Sequence, residues 1–340
     1  MKTLLHRALL MLALVFTLSA CSDQREMIHL NGSTMGTYYS IKLIKQEGLP
    51  PATDIQAEID RRLELVNDQM STYRKHSELS QFNQSRSSEP FEVSPDTAKV
   101  VTEAIRLAKL TGGALDVTVG PIVNLWSFGP EARPEKTPTE LELAERRKIV
   151  GIHHLSVEGN SLIKDIPELY VDLSSIAKGF GVDVVADYFD DLGVADYLVE
   201  IGGELSLKGN NLEGVPWRIA IEKPTEDGSR AIQEVIEPGD MAVATSGDYR
   251  NYFEEDGVRY SHLIDPNSGM PIANHVVSVT VLHPSSMTSD ALATAFSVMG
   301  EEKALALANQ EQIPLLLVVK TEQGFKEYTS DAFAPYMNQK

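Results

Sequence analysis

The chain has 340 residues, 42% hydrophobic and 7% aromatic, which suits a globular protein of one large domain or two coupled halves. Its 49 acids against 30 bases leave a formal charge of −19, which argues against a nucleic-acid partner, since that would want a basic face. The same charge makes an anionic ligand hard to hold without local N–H donors, a specific cation or a metal.

In chain order, the first segment reads as a targeting signal. Lys2 and Arg7 give a basic start, and residues 8–18 form an apolar stretch too short to span a bilayer comfortably. Leu18-Ser19-Ala20-Cys21 resembles a bacterial lipobox, so 1–20 is expected to be a lipoprotein signal peptide and Cys21 its lipidated residue. An ordinary secretory signal with a chance cysteine is the alternative. A lipid on Cys21 would hold the body, 21–340, at the periplasmic face of the inner membrane or, alternatively, of the outer one. Ser22 stands where the usual inner-membrane retention Asp would be, and Asp23 comes one place late. Cys21 is the only cysteine, which excludes an internal disulfide or a Cys-rich zinc site.

Residues 36–44 (GTYYSIKLI) alternate like a strand, and 54–70 carry Ile55, Ile59, Leu63 and Val66 at helical spacing. A second helix over 95–110 is ended by Gly112-Gly113. A charged amphipathic helix, 139–150, follows a loop with Pro130, Pro134 and Pro138. The stretch 171–189, VDLSSIAKGFGVDVVADYF, predicts a short strand into Asp172, a polar turn, and a helix starting beyond Lys178-Gly179-Phe180-Gly181. Backbone N–H groups gather around a phosphate in such a geometry, yet the glycine spacing fits neither the P-loop nor the dinucleotide-binding pattern. Strands are then predicted at 197–201, 204–208, 217–222, 233–236, 241–245, 259–264 and 276–282. Helices at 289–299 and 301–308 and a strand at 314–320 complete the series. Consecutive strands at hairpin spacing with interspersed helices predict an α+β fold of mainly antiparallel sheets flanked by helices. No low-complexity linker divides 21–340, so a single domain is expected.

Five stretches could carry chemistry, each with a plain structural reading beside it. Ser33-Thr34-Met35-Gly36-Thr37 alone reads as a strand start. In Ser71-Thr72-Tyr73-Arg74, at a helix end, the ring can stack on an aromatic ligand or cover the core. GGALDVTVGP, 112–121, is either a helix C-cap and turn or a close backbone approach to a flat ligand, with Asp116 accepting ring or ribose hydrogens. HLIDPNSGMP, 262–271, holds a turn in which Asp265 bonds the backbone two residues on and Pro266 presets φ. His262, two places before the predicted strand end, could be a base near neutral pH or a structural histidine. Asp290 and Thr294, four apart, share one face of a helix's first turns. Their hard oxygens suit Mg²⁺; otherwise Asp290 only complements the helix dipole.

Taken together and in this order, these stretches resemble the ApbE family of periplasmic FAD:protein FMN transferases. The matching text includes STMGTYYSI, STYRKHSEL, GGALDVTVGPIVNLWSFGP, VDLSSIAKGFGVD, IGGELSLKG, PWRIAIEKP, TSGDYRNYF, HLIDPNSGMPI and SDALATAF, and covers nearly all of 21–340. The resemblance implies an ApbE-like (T-fold-like) architecture that binds FAD and Mg²⁺ and transfers FMN to a Ser or Thr hydroxyl of a partner through a phosphoester, releasing AMP. It implies that Met35, Tyr73, Ala114, Leu115, Asp116, Lys178 and Ile264 line the FAD site, with Asp172 beside it. Ser175, Asp290 and Thr294 would be Mg²⁺ ligands and His262 the base, while Arg250 could assist the phosphates or take a surface or structural role. Partners would be target flavoproteins, subunits of sodium- or proton-coupled membrane redox complexes. An FAD pyrophosphatase giving FMN and AMP, or a non-catalytic FAD-binding lipoprotein, are the alternatives, and Tyr73 resembles the transferring members.

Overall fold

A computed structural model describes residues 25–129, 136–223, 231–247, 252–255 and 258–337; Cys21, Pro130, Pro134 and Arg250 lie outside them. The chain opens with β1 (Met27–Thr34) and β2 (Thr37–Ile44), joined by the two-residue turn Met35-Gly36. Both turn residues have positive φ, 49° and 71°, the mirror-image geometry whose twist matches a hairpin. Next come α1 (Ala52–Met70), α2 (Glu78–Gln84), β3 (Phe91–Glu92) and α3 (Pro95–Leu110). Ser94 caps α3 by accepting from Thr97 N–H, with Pro95 in the first helical position, so this helix has the predicted bounds.

Short pieces follow: α4 (Gly120–Leu125), α5 (Glu140–Arg147), β4 (Leu155–Glu158) and β5 (Ser161–Lys164), then the long α6 (Ala177–Asp191). Strands β6 (Tyr197–Ile201) and β7 (Glu204–Lys208) turn about Gly202-Gly203, and β8 (Ile219–Lys223) pairs with β9 (Ala231–Ile236). After β10 (Ala242–Gly247) come two small pairs, β11 (Tyr252–Glu255) with β12 (Val258–Ser261), and β13 (Ile264–Asp265) with β14 (Met270–Pro271). The chain ends in β15 (Val276–His283), α7 (Ser286–Met299), α8 (Glu301–Gln310), β16 (Leu315–Thr321) and β17 (Gly324–Thr329).

Eight strands form one fully antiparallel sheet in the order β1-β2-β6-β7-β10-β15-β16-β17. Its central strands read as continuous apolar runs because both faces are covered. Leu315, Leu317 and Val319 of β16 join Ala291, Ala295 and Phe296 of α7 in one core. Leu316 points the other way, into a cluster with Trp217, Ile236 and Phe333. Toward the other edge, Tyr39, Ile41 and Leu43 pack under Ile55, Ile59 and Leu63 of α1 and Val182, Val185 and Phe189 of α6. The α+β fold with antiparallel sheet flanked by helices is therefore as the sequence predicts.

The differences are local and physical. β1 was not expected, because its edge position leaves only Leu30 buried and its sequence polar. Residues 171–172 make no strand. Val171 instead exchanges two bonds with the Asn83 side chain, and Asp172 N–H donates to Val117 O at 2.7 Å. The predicted 259–264 strand breaks at His262-Leu263, and the 139–150 helix stops at Arg147. The largest correction concerns Gly179 and Gly181, which lie inside α6 and not before it. A Cβ on Gly179 would stand 2.2 Å from the Ser286 carbonyl oxygen, and one on Gly181 2.6 Å from Met35 Cε. Close packing, not a turn, is what these glycines serve.

Candidate active site

Helices α6 and α7 cap one another. No side chain of its own caps α6, and its Gly179 N–H donates to Asp290 Oδ2 at 2.9 Å from α7. In return Asp183 of α6 accepts from Ser285 Oγ, Ser286 N–H and Met287 N–H at 2.7–3.0 Å, closing the start of α7. Asp290 sits in the second turn of α7, so Asp183 and not Asp290 complements that helix's N-terminal amides. Burial pushes the Asp183 carboxyl above its ordinary range, and these three bonds pull it back.

Below this junction three charged groups meet. Asp290 and Glu204 are 5% and 3% exposed, and Lys178 Nζ donates to Glu204 Oε1. Glu204 opens β7 immediately after Gly202-Gly203; it was not singled out from the sequence, because an acid at a strand start reads as surface. An acid leading a strand whose neighbours are buried was the signal that could have found it. Burial, then the Asp290 charge, push Glu204 up to about 8, with Lys178 opposing. Burial likewise raises Asp290, opposed by Lys178 and by the Gly179 N–H. Burial alone would lower Lys178, but Asp290 and Glu204 outweigh it and hold its ammonium above the usual lysine range. Two buried carboxyls thus stand beside one ammonium, which bonds Glu204, and a further cation would relieve the excess negative charge.

The surrounding walls are turns. The helix end at Thr111 is a left-handed glycine cap, with Gly113 N–H donating to Ala108 O at 2.8 Å, and it delivers Ala114, Leu115 and Asp116. Asp116 Oδ1 accepts from Thr118 N–H and Oγ1, and Oδ2 accepts from Ile152 N–H at 3.0 Å, so this carboxylate braces two loops. Burial still leaves its carboxyl above the ordinary range. Asp172 accepts from Ser174 N–H and Oγ at 2.9 and 2.5 Å, ahead of Ser175. His262 is half-buried in the bend between β12 and β13, its ring 6.4 Å from that of Phe128. Ile264 behind it is buried with Ile122, Leu125 and Trp126. The next turn forms as its sequence predicts: Asn267 N–H donates to Asp265 Oδ1, while Trp126 Nε1 pins Gly269 O.

One cavity of about 330 Å³ is lined by Ala114, Leu115, Asp116, Asp172, Ser175, Lys178, Glu204, His262, Ile264, Asp290 and Thr294. A second, of about 780 Å³, is lined by Met35 and Tyr73, and the two share Ser174 and Lys178. Tyr73 is 71% exposed on a turn held by Arg74, whose guanidinium reaches Glu64 and Asp68. Met35 takes its left-handed backbone at the hairpin tip. The structure therefore brings every predicted site residue except Cys21 to two adjoining cavities. Thr245, Ser246 and Gly247 of β10 line the first as well and were not predicted there.

Among the described residues no group of three His, Cys, Asp or Glu side chains is placed to hold a metal. A cation here could draw on the Asp290 carboxylate with the Ser175 and Thr294 hydroxyls, a hard-oxygen set that suits Mg²⁺ if a bound phosphate and water complete it. The two cavities adjoin at Ser174 and Lys178, so a ligand that occupied both would pass beside this lysine.

The ApbE family pattern matches residues 35–317. The chain is 64% identical over 330 residues to a Vibrio cholerae FAD:protein FMN transferase, covering 97% of this chain and 98% of that protein. The solved flavin transferase ApbE from Vibrio cholerae superposes with a TM-score of 0.87 over 92% of this chain and all of that one, at 64% identity. The apo flavinyl transferase ApbE of Pseudomonas stutzeri gives the same TM-score at 38% identity, covering 94% of this chain and 99% of its own. With its pattern, sequence and fold all in agreement over nearly the whole described length, the chain belongs to the ApbE family.

Proposed function

We propose that this protein moves FMN from FAD onto a Ser or Thr hydroxyl of a target protein through a phosphoester bond, releasing AMP, with Mg²⁺ bound beside the pyrophosphate. The family, and relatives that carry the name FAD:protein FMN transferase, support flavin transfer. The observation that carries the reading is the meeting, around one cavity, of Asp116, Lys178, His262 and Asp290 from widely separated parts of the chain. Met35, Tyr73, Ala114, Leu115, Asp116, Lys178 and Ile264 bind FAD, with Asp172 beside it. Ser175, Asp290 and Thr294 hold Mg²⁺, which supplies charge neutralisation at the phosphoryl group when bound. His262 takes the proton of the attacking hydroxyl; a new O–P bond forms, the P–O bond to AMP breaks, and AMP leaves with the electron pair. Residues 21–340 act as one catalytic unit, held by a lipid on Cys21 at the periplasmic face of the inner membrane. Its targets are flavoprotein subunits of membrane redox complexes. Among the described residues no helix is long and apolar enough to cross a membrane.

The test is to incubate the protein with FAD, Mg²⁺ and an acceptor carrying a Ser/Thr-Gly-Ala-Thr-like segment. A fluorescent band after denaturing electrophoresis, with the matching mass gain, is the expected result. Steady FMN and AMP release with no labelled acceptor would make it a pyrophosphatase; no turnover would leave a binding protein. Asp290→Ala is expected to abolish labelling, and full activity in that variant would remove the metal role.

A further inference from the structure

The mechanism above leaves one buried charged residue of the cavity unused. Glu204 is 3% exposed, lies at the first position of β7, and accepts from Lys178 Nζ. Lys178 is also one of two residues that line both cavities. A dinucleotide spanning the two would bring its pyrophosphate to that junction, so the ammonium's position would decide whether it meets the phosphates. Two buried carboxyls compete for it, Glu204 and Asp290, and the bond in the structure goes to Glu204. Asp290 is meanwhile engaged by Gly179 N–H. We infer that Glu204 is a positioning residue, which keeps the Lys178 ammonium off Asp290 and at the junction, where it binds the FAD pyrophosphate.

This inference rests on the FAD-dependent reading above. A lysine contact made equally to bound FAD and to the transition state changes KM and leaves kcat alone. Hydrogen bonds to charged groups are strong enough that misplacing one costs about tenfold or more in affinity. Four variants test it: Glu204→Leu, Glu204→Gln, Lys178→Met, and Glu204→Leu combined with Lys178→Met. FAD binding is read by quenching of flavin fluorescence on metal-free protein, and FMN transfer by steady-state kinetics with Mg²⁺.

Glu204→Leu is expected to weaken FAD binding about tenfold and raise KM for FAD similarly, with kcat within about twofold. Glu204→Gln keeps an acceptor oxygen at the same reach and is expected to recover most of that loss. In the Lys178→Met background, Glu204→Leu is expected to have no further effect on FAD binding, since the group it positions is gone. Wild-type FAD affinity in Glu204→Leu would overturn the assignment. So would an undiminished loss in the Lys178→Met background, which is what a merely structural Glu204 gives. Because binding is read without turnover, a wild-type protein that binds FAD but labels no acceptor would fail the transfer reading while the cycle still decides Glu204.

Discussion

The floor and the walls of the cavity are built on opposite principles. The floor, where Gly179, Lys178, Glu204 and Asp290 meet, lies on two long helices and a central strand and is fixed by reciprocal capping; Gly179, Glu204 and Asp290 are buried, while Lys178 keeps about a third of its side chain exposed to the cavity. The walls carry Asp116, Asp172 and His262 on turns and loop ends rather than on long helices or central strands, and Tyr73 stands mostly exposed beyond them. Fixed charge belongs on rigid elements, because small displacements change electrostatics most where water is excluded. Groups that must meet a flexible partner belong on loops that a scaffold positions. Changes to the packing that holds the floor should therefore register first as stability, and changes in the walls as activity alone.

The sharpest way to separate the two is His262→Ala. It is expected to lower kcat for FMN transfer by about 10²–10⁴ with unchanged FAD binding and an unchanged thermal midpoint. A fall in the midpoint comparable to a core variant's would move His262 from wall to floor. Gly179→Ala tests the floor. Its new Cβ would press on the Ser286 carbonyl at 2.2 Å, forcing α6 and α7 apart at an expected cost of about 1–3 kcal/mol in denaturant unfolding. Wild-type stability there would mean that the helices can part without penalty. Asp183→Ala removes the acceptor for three donors at the start of α7 and is expected to cost about 1–2 kcal/mol, with a smaller loss for Asp183→Asn. Transfer activity in Asp183→Ala should fall only as the folded fraction does, and in Gly179→Ala it should fall further, because parting the helices moves Asp290 away from Gly179 and Lys178.

The same division governs what the sequence reveals. β6 and β7 have the predicted bounds because Gly202-Gly203 marks the turn between two apolar runs. Ser94-Pro95 signals the start of α3 as plainly. The start of α6 is illegible, since Gly179 and Gly181 speak for a turn and only packing against Ser286 and Met35 overrides them. β1 is hidden by the polarity of an edge strand. In the site, Asp116, Asp172 and His262 stand in turn-rich stretches that attract attention; a ligand contact for Asp116 and a base for His262 are readable there beside plain structural readings, while the place of Asp172 beside FAD comes only from family resemblance. Glu204 and Asp183 escape notice because what makes them matter is a partner at a distance: Lys178 for one, 26 residues away, and the start of α7 for the other, 102 residues away. No local pattern encodes such pairing.

The exchange of caps between α6 and α7 also has a kinetic consequence. The Gly179 amide is secured by a residue of α7, and the Ser286 and Met287 amides by a residue of α6. Each helix start is held by a carboxylate from farther along the other helix, so separating the two helices strips the acceptors from both at once. Hydrogen–deuterium exchange at these three amides should thus proceed through a single shared opening, as one cooperative unit rather than as two independent helix ends. The base of the cavity opens whole or stays shut.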